Sequence, residues 1–410
     1  MNENLVKKPK KDEEDIVEEE EDIELEDDEE ESSSSDTKKT EDDPKKKMFL
    51  LMGIIVGGAL ILLLILYIAS LFTTRTYNYE DMETILKDAA VAYFVDHPDQ
   101  LPKNDGDAVV VDSSNLVYEG KMNDLSTYRN DGVACTGTVQ VENVSGEYVY
   151  IPFLNCGESY SSVELASKIE EDNPTVSNGN GLYAINKARV FRGENVNNYV
   201  QLDKSLWRVV KINNDGTITL IHATGLDFYQ PWDNRYNEER LYESGINNYS
   251  VSRIKDYLQK LYSNPSKDDG EEILSNNDKA RLVSFTVCVG SRKTSSEGRN
   301  NAEECRQKVQ NQKLGLLTLS DYLVASLDTT CKSADTKSCM NYNYLTTDDE
   351  WWLATPNAED TSTVFKVDRS GVVKAEIAST YSRVRPVITL NSHTMFASGK
   401  GTADKPYKIK

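Results

Sequence analysis

The sequence has few basic residues relative to its acidic ones, and this shortage argues against one class of function. It contains 46 Lys and Arg against 68 Asp and Glu, for a formal net charge of −22. Proteins that bind nucleic acid present a basic face to the phosphate backbone. No compact basic patch is visible along the chain, so we expect no nucleic-acid partner.

Familiar catalytic and metal-binding motifs are also missing. There is no HExxH and no GxSxG, and the segment SGKGT at 398–402 fails the phosphate-loop pattern because Gly401 follows the lysine where Ser or Thr is required. No CxxC occurs, and three histidines cannot supply the ligand spacing of a zinc site. We therefore expect no enzyme activity, no metal and no cofactor.

One long stretch lacks charge altogether. Residues 48–72 contain no charged side chain over 25 positions, and about 20 apolar residues are enough for a helix to cross a bilayer. A signal peptide would have a shorter apolar stretch closer to the N-terminus. The pattern predicts a single transmembrane helix. More Lys and Arg precede it than follow it, which places the N-terminus inside and the large C-terminal part outside the cell membrane.

The N-terminal segment, 1–47, is strongly acidic. Residues 12–31 hold 16 acidic and only four apolar side chains, a composition typical of disordered chains. We predict a disordered cytoplasmic tail. Two interpretations stay open: a solvating tail, or an acidic segment that binds a cationic cytoplasmic partner.

All six cysteines follow the apolar stretch, on the side predicted to be outside. Disulfides persist in oxidising compartments, and an even number of cysteines there favours disulfides over a zinc site or reduced core thiols. Although six cysteines allow 15 connectivities, they fall into three local couples. We predict the pairs Cys135–Cys156, Cys288–Cys305 and Cys331–Cys339.

The segment 73–160 follows the apolar stretch directly and reads as one helix and a small sheet. Met82, Leu86 and Phe94 recur at helical spacing, and His97-Pro98 ends the pattern. GVACTGTVQV and YVYIPFLNC then predict a hairpin. A membrane helix that leads into a helix and a disulfide-bonded sheet resembles type IV pilin-like and pseudopilin proteins, which implies a pilin-like α+β module.

A polar linker at 161–177 separates this module from a predicted C-terminal domain, 178–410. LWRVVKI (206–212) and TITLIHA (217–223) flank a turn that ends in Asp-Gly, which is a strong hairpin signal. Ser250 is predicted to cap an amphipathic helix, and the chain then returns to strands. The predicted fold class is α+β, with a mainly antiparallel C-terminal domain and short helices.

Several ordered motifs carry a second resemblance. The order is LWRVVKI, DGTITLI, a capped helix, LGLLTLSDY, Trp351-Trp352-Leu353, RVRPVI with Arg385-Pro386, and GTADKPYKI. This order resembles a bacterial extracellular domain family of unknown function, found chiefly in surface proteins of low-GC Gram-positive bacteria. That arrangement is in turn similar to C-type-lectin-like folds. The resemblance implies an extracellular binding domain.

The richest cluster of aromatic and polar residues is the loop 228–236, which we predict to be the ligand-binding surface. A loop packed by its own aromatic side chains is the alternative. In the motif, one of Trp351 and Trp352 should face the core and the other the opposite face, because neighbouring strand residues alternate. The candidate ligand-binding residues are Tyr229, Trp232, Asp233, Arg235 and Tyr236.

The predicted function is that of a single-pass, membrane-anchored bacterial surface protein whose outer domain binds an extracellular protein or glycan. Two other classes stay open. One is a structural or assembly component of a pilus-like or secretion machine of the cell envelope, and the other is a transmembrane sensor.

Overall fold

The computed structural model describes residues 76–104, 107–144, 146–239, 244–265 and 272–410, which are mostly β-sheet with a few short helices. The helices are α1 (Tyr79–Asp96), α2 (Ser113–Tyr118), α3 (Leu165–Asp172), α4 (Arg253–Ser263), α5 (Asn276–Ala280) and α6 (Leu319–Ala325). The strands are β1 (Ala108–Asp112), β2 (Thr136–Val144), β3 (Glu147–Asn155), β4 (Gly181–Ile185), β5 (Ala188–Arg192), β6 (Tyr199–Gln201), β7 (Leu206–Ile212), β8 (Ile218–His222), β9 (Tyr229–Pro231), β10 (Phe285–Cys288), β11 (Lys308–Gln312), β12 (Trp351–Pro356), β13 (Thr363–Val367), β14 (Val373–Ile377), β15 (Tyr381–Arg383), β16 (Val387–Leu390), β17 (Phe396–Ser398) and β18 (Tyr407–Ile409).

Residues 76–160, here called the N-terminal module, combine α1 with the antiparallel sheet β1-β2-β3. Asn78 caps α1 by accepting a hydrogen bond from the backbone N–H of Asp81 at 2.7 Å. The apolar face of α1 is buried against the sheet, as the helical spacing predicted. Gly137 on β2 allows the close approach, because a Cβ there would lie 2.7 Å from the Cδ2 atom of Leu86.

An eight-stranded sheet forms the centre of the remaining residues. Six of its strands lie in the order β16-β8-β7-β6-β18-β17. In addition, β5 pairs with β7, and β4 pairs with β5. The predicted hairpin is confirmed as β7 and β8, joined by a turn in which Gly216 has a φ of +80°. The predicted helix is α4, but the predicted cap is wrong. Its N-cap is Ser252 and not Ser250, and the Ser252 hydroxyl accepts from the backbone N–H of Lys255.

A five-stranded sheet, β14-β13-β12-β15-β9, packs beside it. All six residues of β12, the middle strand, are buried. β9 is an edge strand, paired antiparallel with β15, so that Tyr229 faces Arg383 and Pro231 faces Tyr381. This register brings together two segments that are about 150 residues apart in the sequence.

The segment predicted as a linker, 161–177, contains α3, and Leu165 and Ile169 on this helix are fully buried in the larger hydrophobic core. The C-terminal Lys410 reaches back to the N-terminal module. Its ammonium lies 2.6 Å from the carboxylate of Glu83 on α1, and that carboxylate is itself buried. The described residues accordingly form one compact unit.

The predicted fold class, α+β with a single transmembrane helix, is wrong. The architecture is mostly β-sheet, and no helix among the described residues is long and apolar enough to cross a membrane. The longest of those helices, α1, carries Glu80, Asp81 and Lys87 and buries only one face. The predicted location, a single-pass cell-membrane protein, is corrected on the same finding. The residues predicted as the tail (1–47) and the membrane helix (48–72) lie outside the described part of the chain.

The predicted disulfides are confirmed, and all six cysteines are paired. Cys135–Cys156 closes the end of the β2–β3 hairpin, next to the pair Thr136 and Asn155. A disulfide stabilises mainly by restricting the unfolded chain, by about 2–4 kcal/mol. The three bridges are therefore substantial contributors to the stability of this fold.

Candidate functional site

The five residues predicted to bind a ligand do not share one surface. Tyr229, Arg235 and Tyr236 reach solvent, whereas Trp232 and Asp233 are fully buried. The indole N–H of Trp232 donates to the carbonyl oxygen of Leu353 on β12 at 3.0 Å. The ring also packs edge-on against Tyr249, 5.8 Å between centroids. Trp232 therefore anchors the loop to the core.

Asp233 organises the loop from within. Its carboxylate accepts hydrogen bonds from the backbone N–H groups of Arg235, Ile246 and Arg253, at 3.0–3.3 Å. Arg253 is the first residue of α4, so the negative charge lies at a helix N-terminus, where it is favourable. Gly245 passes so close that a Cβ would lie 2.1 Å from the Asp233 carbonyl oxygen. Asp233 holds the loop in shape and does not face a ligand.

Tyr229 belongs to a different set of side chains, on the exposed side of the β9–β15 pair. Arg383 lies opposite it, with its guanidinium carbon 5.3 Å from the centre of the tyrosine ring. Tyr381, two residues from Arg383 on β15, projects to the same side of the sheet because strand residues alternate. It is 59% exposed, and Tyr229 is 37% exposed. Ser382, between the two, is buried.

Ion pairs fix Arg383 in place. Its Nη1 donates to Asp227 at 2.9 Å, and its Nε lies 3.2 Å from a carboxylate oxygen of Asp349. Hydrogen bonds to Tyr229 and Asp227 are the main causes that raise the pKa of Arg383. Gly225 leaves room for this side chain, because a Cβ there would lie 2.7 Å from the Arg383 Cδ atom.

Arg369 completes the cluster. It lies in the turn between β13 and β14, its side chain is 68% exposed, and its Nη2 is 3.4 Å from the Tyr229 hydroxyl. Its other neighbour is Glu350, at 3.9 Å. We call this surface the tyrosine–arginine face and define it by its members: Tyr229, Tyr381, Arg369, Arg383 and Asp227.

Sequence reasoning found one member of this face, Tyr229, and missed the others. Arg369 and Arg383 lie about 140 and 150 residues further along the chain, and only the strand register brings them to Tyr229. The sequence contains a partial signal for the two arginines. DRSG at 368–371 indicates an exposed turn that contains Arg369, and RVR at 383–385 indicates a strand that contains Arg383. Neither pattern identifies the aromatic partner.

The WW and RP motif residues are part of the core. Trp351 and Trp352 are both fully buried, so the expectation that one faces away from the core is wrong. Both faces of β12 are covered, and the indole N–H of Trp352 donates to the Gln230 carbonyl oxygen at 2.9 Å. Pro386 is buried as well, and its carbonyl accepts from the backbone N–H of His222.

Arg385 is a buried cation without a carboxylate in hydrogen-bond reach in the described structure. It donates to the carbonyl oxygens of His222, Ala223 and Leu345, at 2.8–3.1 Å, and lies 4.7 Å from the centre of the Trp351 ring. Burial lowers its pKa to about 9. Arg385, which lies between β15 and β16, therefore joins the end of β8 to the segment before β12, and it is inaccessible to a ligand.

A cleft of about 310 Å³ borders the tyrosine–arginine face at Asp227. His222 and Phe228 line it, with Glu272 at its rim. The Nδ1 atom of His222 lies 2.7 Å from the Thr224 carbonyl oxygen, which makes Nδ1 the donor and leaves Nε2 without the proton in the neutral ring. Burial lowers the pKa of His222, which favours that neutral form.

Among the described residues, no group of three or more His, Cys, Asp or Glu side chains is arranged to hold a metal ion. The acidic side chains around the face instead form ion pairs with Arg369 and Arg383. The arrangement on this face is suited to contact with a ligand through rings and guanidinium groups.

Comparison with known proteins finds one family model that matches part of the chain. Residues 215–392 match the model of a domain of unknown function (DUF6273). The match begins in the β7–β8 turn and ends just after β16, so it includes every member of the tyrosine–arginine face. No curated protein and no solved structure matches the chain. The resemblances to C-type-lectin-like folds and to pilins stay predictions.

Proposed function

We propose that the described chain is a disulfide-bonded binding module that recognises a protein ligand through the tyrosine–arginine face. The observation that carries this proposal is the exposed cluster of Tyr229, Tyr381, Arg369 and Arg383. Tyrosine and arginine are enriched at the energetic centres of protein interfaces. Tyrosine contributes a large apolar ring with a polar end, and it loses little conformational entropy on binding.

Arg383 and Tyr229, at the centre of the cluster, are held in position before any ligand arrives. Arg383 is fixed by Asp227 and Asp349, and it lies against the ring of Tyr229. Side chains that are already ordered lose less entropy when they bind. This order supports a binding role, because a solvent-exposed Arg without such contacts would have to be immobilised by the ligand.

Three disulfides support an oxidising compartment as the place of action, since thiols stay reduced in the cytosol. A glycan is the other ligand class that this face could accept, by stacking of a sugar on Tyr381. Protein is favoured because the face combines charged arginines with tyrosines over an open sheet surface, as protein interfaces do.

The test is a parallel screen of protein and glycan arrays with the full chain, followed by affinity measurement on each ligand found. The double variant Tyr229→Ala/Tyr381→Ala removes both rings of the face. Tyr118→Ala is the matched control, because Tyr118 is 88% exposed and lies on α2 in the N-terminal module. Hot-spot tyrosines contribute about 2 kcal/mol or more, so we expect a loss of at least about 30-fold in affinity.

The control variant should bind like the wild type. The proposal fails if a ligand binds the double variant and the wild type equally well. If the only ligands lost by the double variant are glycans, the face is a sugar-binding site and the protein assignment is wrong.

A further inference from the structure

A second surface feature, separate from the tyrosine–arginine face, is a cleft of about 400 Å³ beside the Cys331–Cys339 disulfide. Arg192, at the end of β5, and Arg299 both line it. Lys332 and Glu297 lie at its exposed rim. The cleft therefore gathers three cationic side chains and one acidic one on a protein whose net charge is −22.

The two guanidinium groups are close neighbours. Nη2 of Arg192 and Nη1 of Arg299 each donate to the same acceptor, the carbonyl oxygen of Ser326, at 2.9 Å. Like charges at this separation repel, and the effect is greater where water is partly excluded. Burial lowers the pKa of both arginines, and repulsion from Arg192 lowers that of Arg299 further.

The Asp328 carboxylate acts on this pair only through its charge, which raises the pKa of Arg299. Within the described ranges, neither Arg192 nor Arg299 forms an ion pair, and their hydrogen bonds go to carbonyl oxygens such as those of Val324, Ser326 and Cys331. Arg299 also donates to the backbone oxygen of Asp328, but the Asp328 carboxylate accepts from Thr330 and Asn341. The guanidinium carbon of Arg192 lies 4.7 Å from the centre of the Tyr183 ring, and the negative face of this ring partly offsets the positive charge.

Two buried arginines elsewhere in the described chain show different arrangements. Arg292 has carboxylates beside it, from Glu303 and Glu304. Arg385 is enclosed by the core, where the charge of Arg208 adds to burial in lowering its pKa. The Arg192–Arg299 pair differs from Arg292 because it forms no ion pair in the described structure, and from Arg385 because it lines an open cleft.

We propose that this cleft is a binding site for an oxyanion of the carboxylate, sulfate or phosphate type, either free or carried by a larger ligand. An oxyanion between the two guanidinium groups would remove their mutual repulsion and accept charge-assisted hydrogen bonds from N–H groups that carbonyls leave unused. Arg299 donates through Nε, Nη1 and Nη2, so each of its terminal nitrogens retains one further N–H. Lys332 adds a third positive charge at the entrance.

The disulfide Cys331–Cys339 has a defined role in this site. Arg299 binds the carbonyl oxygen of Cys331, and the eight-residue separation of the bridge keeps that segment compact. The site therefore depends on the same oxidising conditions as the fold.

The test uses the full chain with intact disulfides. Its thermal unfolding is followed in sodium sulfate, sodium phosphate or sodium glucuronate, each against sodium chloride at matched ionic strength. A ligand that binds only the folded state at about ten times its Kd should raise the unfolding temperature by about 2 °C. Calorimetric titration with sulfate then gives the Kd. A response to glucuronate alone would identify a carboxylate ligand, and a response to sulfate or phosphate a tetrahedral one.

Variants separate binding from folding. Arg299→Gln should abolish the shift, but this variant also loses contacts to the loop. Glu297→Gln is therefore the decisive variant, because it removes the one acidic side chain that lines the cleft and should tighten oxyanion binding several-fold. Lys332→Gln, whose lysine side chain makes no hydrogen bond in the described structure, should weaken binding several-fold. Lys308→Gln, on an exposed lysine that does not line the cleft, is the control.

Equal unfolding temperatures in oxyanion and chloride would overturn the proposal. So would an oxyanion affinity that is the same in Glu297→Gln, Lys332→Gln and the Lys308 control. Because neither outcome involves the tyrosine–arginine face, failure here leaves the proposed function untouched.

Discussion

Replacing His393 with glutamine should remove a pH-dependent link between the N-terminal module and the rest of the chain. The Nε2 atom of His393 lies 2.8 Å from Glu142 on β2, and its Nδ1 lies 2.8 Å from Glu164, just before α3. A carboxylate only accepts, so both ring nitrogens must donate and the ring is an imidazolium. The hydrogen bond to Glu164, with support from the charge of Glu142, raises the pKa of His393 against the effect of burial.

The expected loss of stability in His393→Gln follows from the two hydrogen bonds of His393. A hydrogen bond to a charged group contributes about 1.5–3 kcal/mol, and the lower end applies here because the His393 side chain is 21% exposed. Glutamine keeps one donor group and no charge. It should therefore lose one bond and part of the other, a cost of about 2 kcal/mol in the free energy of unfolding at about pH 6.

The stability that protonated His393 contributes is greatest at low pH. The pKa of His393 is higher in the folded state than the unfolded value of about 6.5, so the folded state holds the proton more tightly. Its contribution is complete below that unfolded pKa and is lost as pH rises through the folded pKa. A neutral histidine, like glutamine, can donate to one carboxylate only.

Urea unfolding of the wild type and His393→Gln between about pH 6 and pH 9 tests this reasoning. The difference between the two free energies should shrink towards zero as pH rises. His97→Gln is the control, since His97 packs on Tyr93 and makes no ion pair in the described structure. A difference that stays constant over this range would refute the imidazolium bridge.

Two further predictions concern the fold. Gly137→Val should destabilise the N-terminal module by about 1–3 kcal/mol, measured by urea unfolding, because its side chain would overlap Leu86 of α1. An unchanged midpoint would contradict the packing described. Asp233→Asn should make the segment 233–239 more sensitive to limited proteolysis, because an amide cannot accept all the N–H groups that the carboxylate accepts. The reasoning about this loop fails if Asp233→Asn is as resistant to the protease as the wild type.

Local features of the fold could be predicted from the sequence. The β7–β8 hairpin follows from two β-rich runs around a turn ending in Asp-Gly, and α1 follows from apolar residues at helical spacing. The three disulfides join neighbouring cysteines, which keeps each pairing within one small segment. In each case the information lies within about 20 residues.

Long-range features could not be predicted, because they depend on strand register. The sequence of the loop 228–236 does not show that Trp232 donates to Leu353 or that Asp233 accepts from the first residue of α4. These two predicted ligand-binding residues are therefore buried and stabilise the loop. The pairing of Tyr229 with Arg383 likewise requires the β9–β15 register. The expectation of an outward tryptophan failed because both faces of β12 are covered.

The most direct test of the central claim is a hydrogen-exchange footprint of the full chain with and without the ligand that the array screen identifies. If the ligand binds the tyrosine–arginine face, amide exchange should become slower in β9, in β15 and in the turn that contains Arg369. Exchange in β1, β2 and β3 should stay unchanged. Protection confined to the N-terminal module, with β9 and β15 unaffected, would contradict the claim that this face binds the ligand.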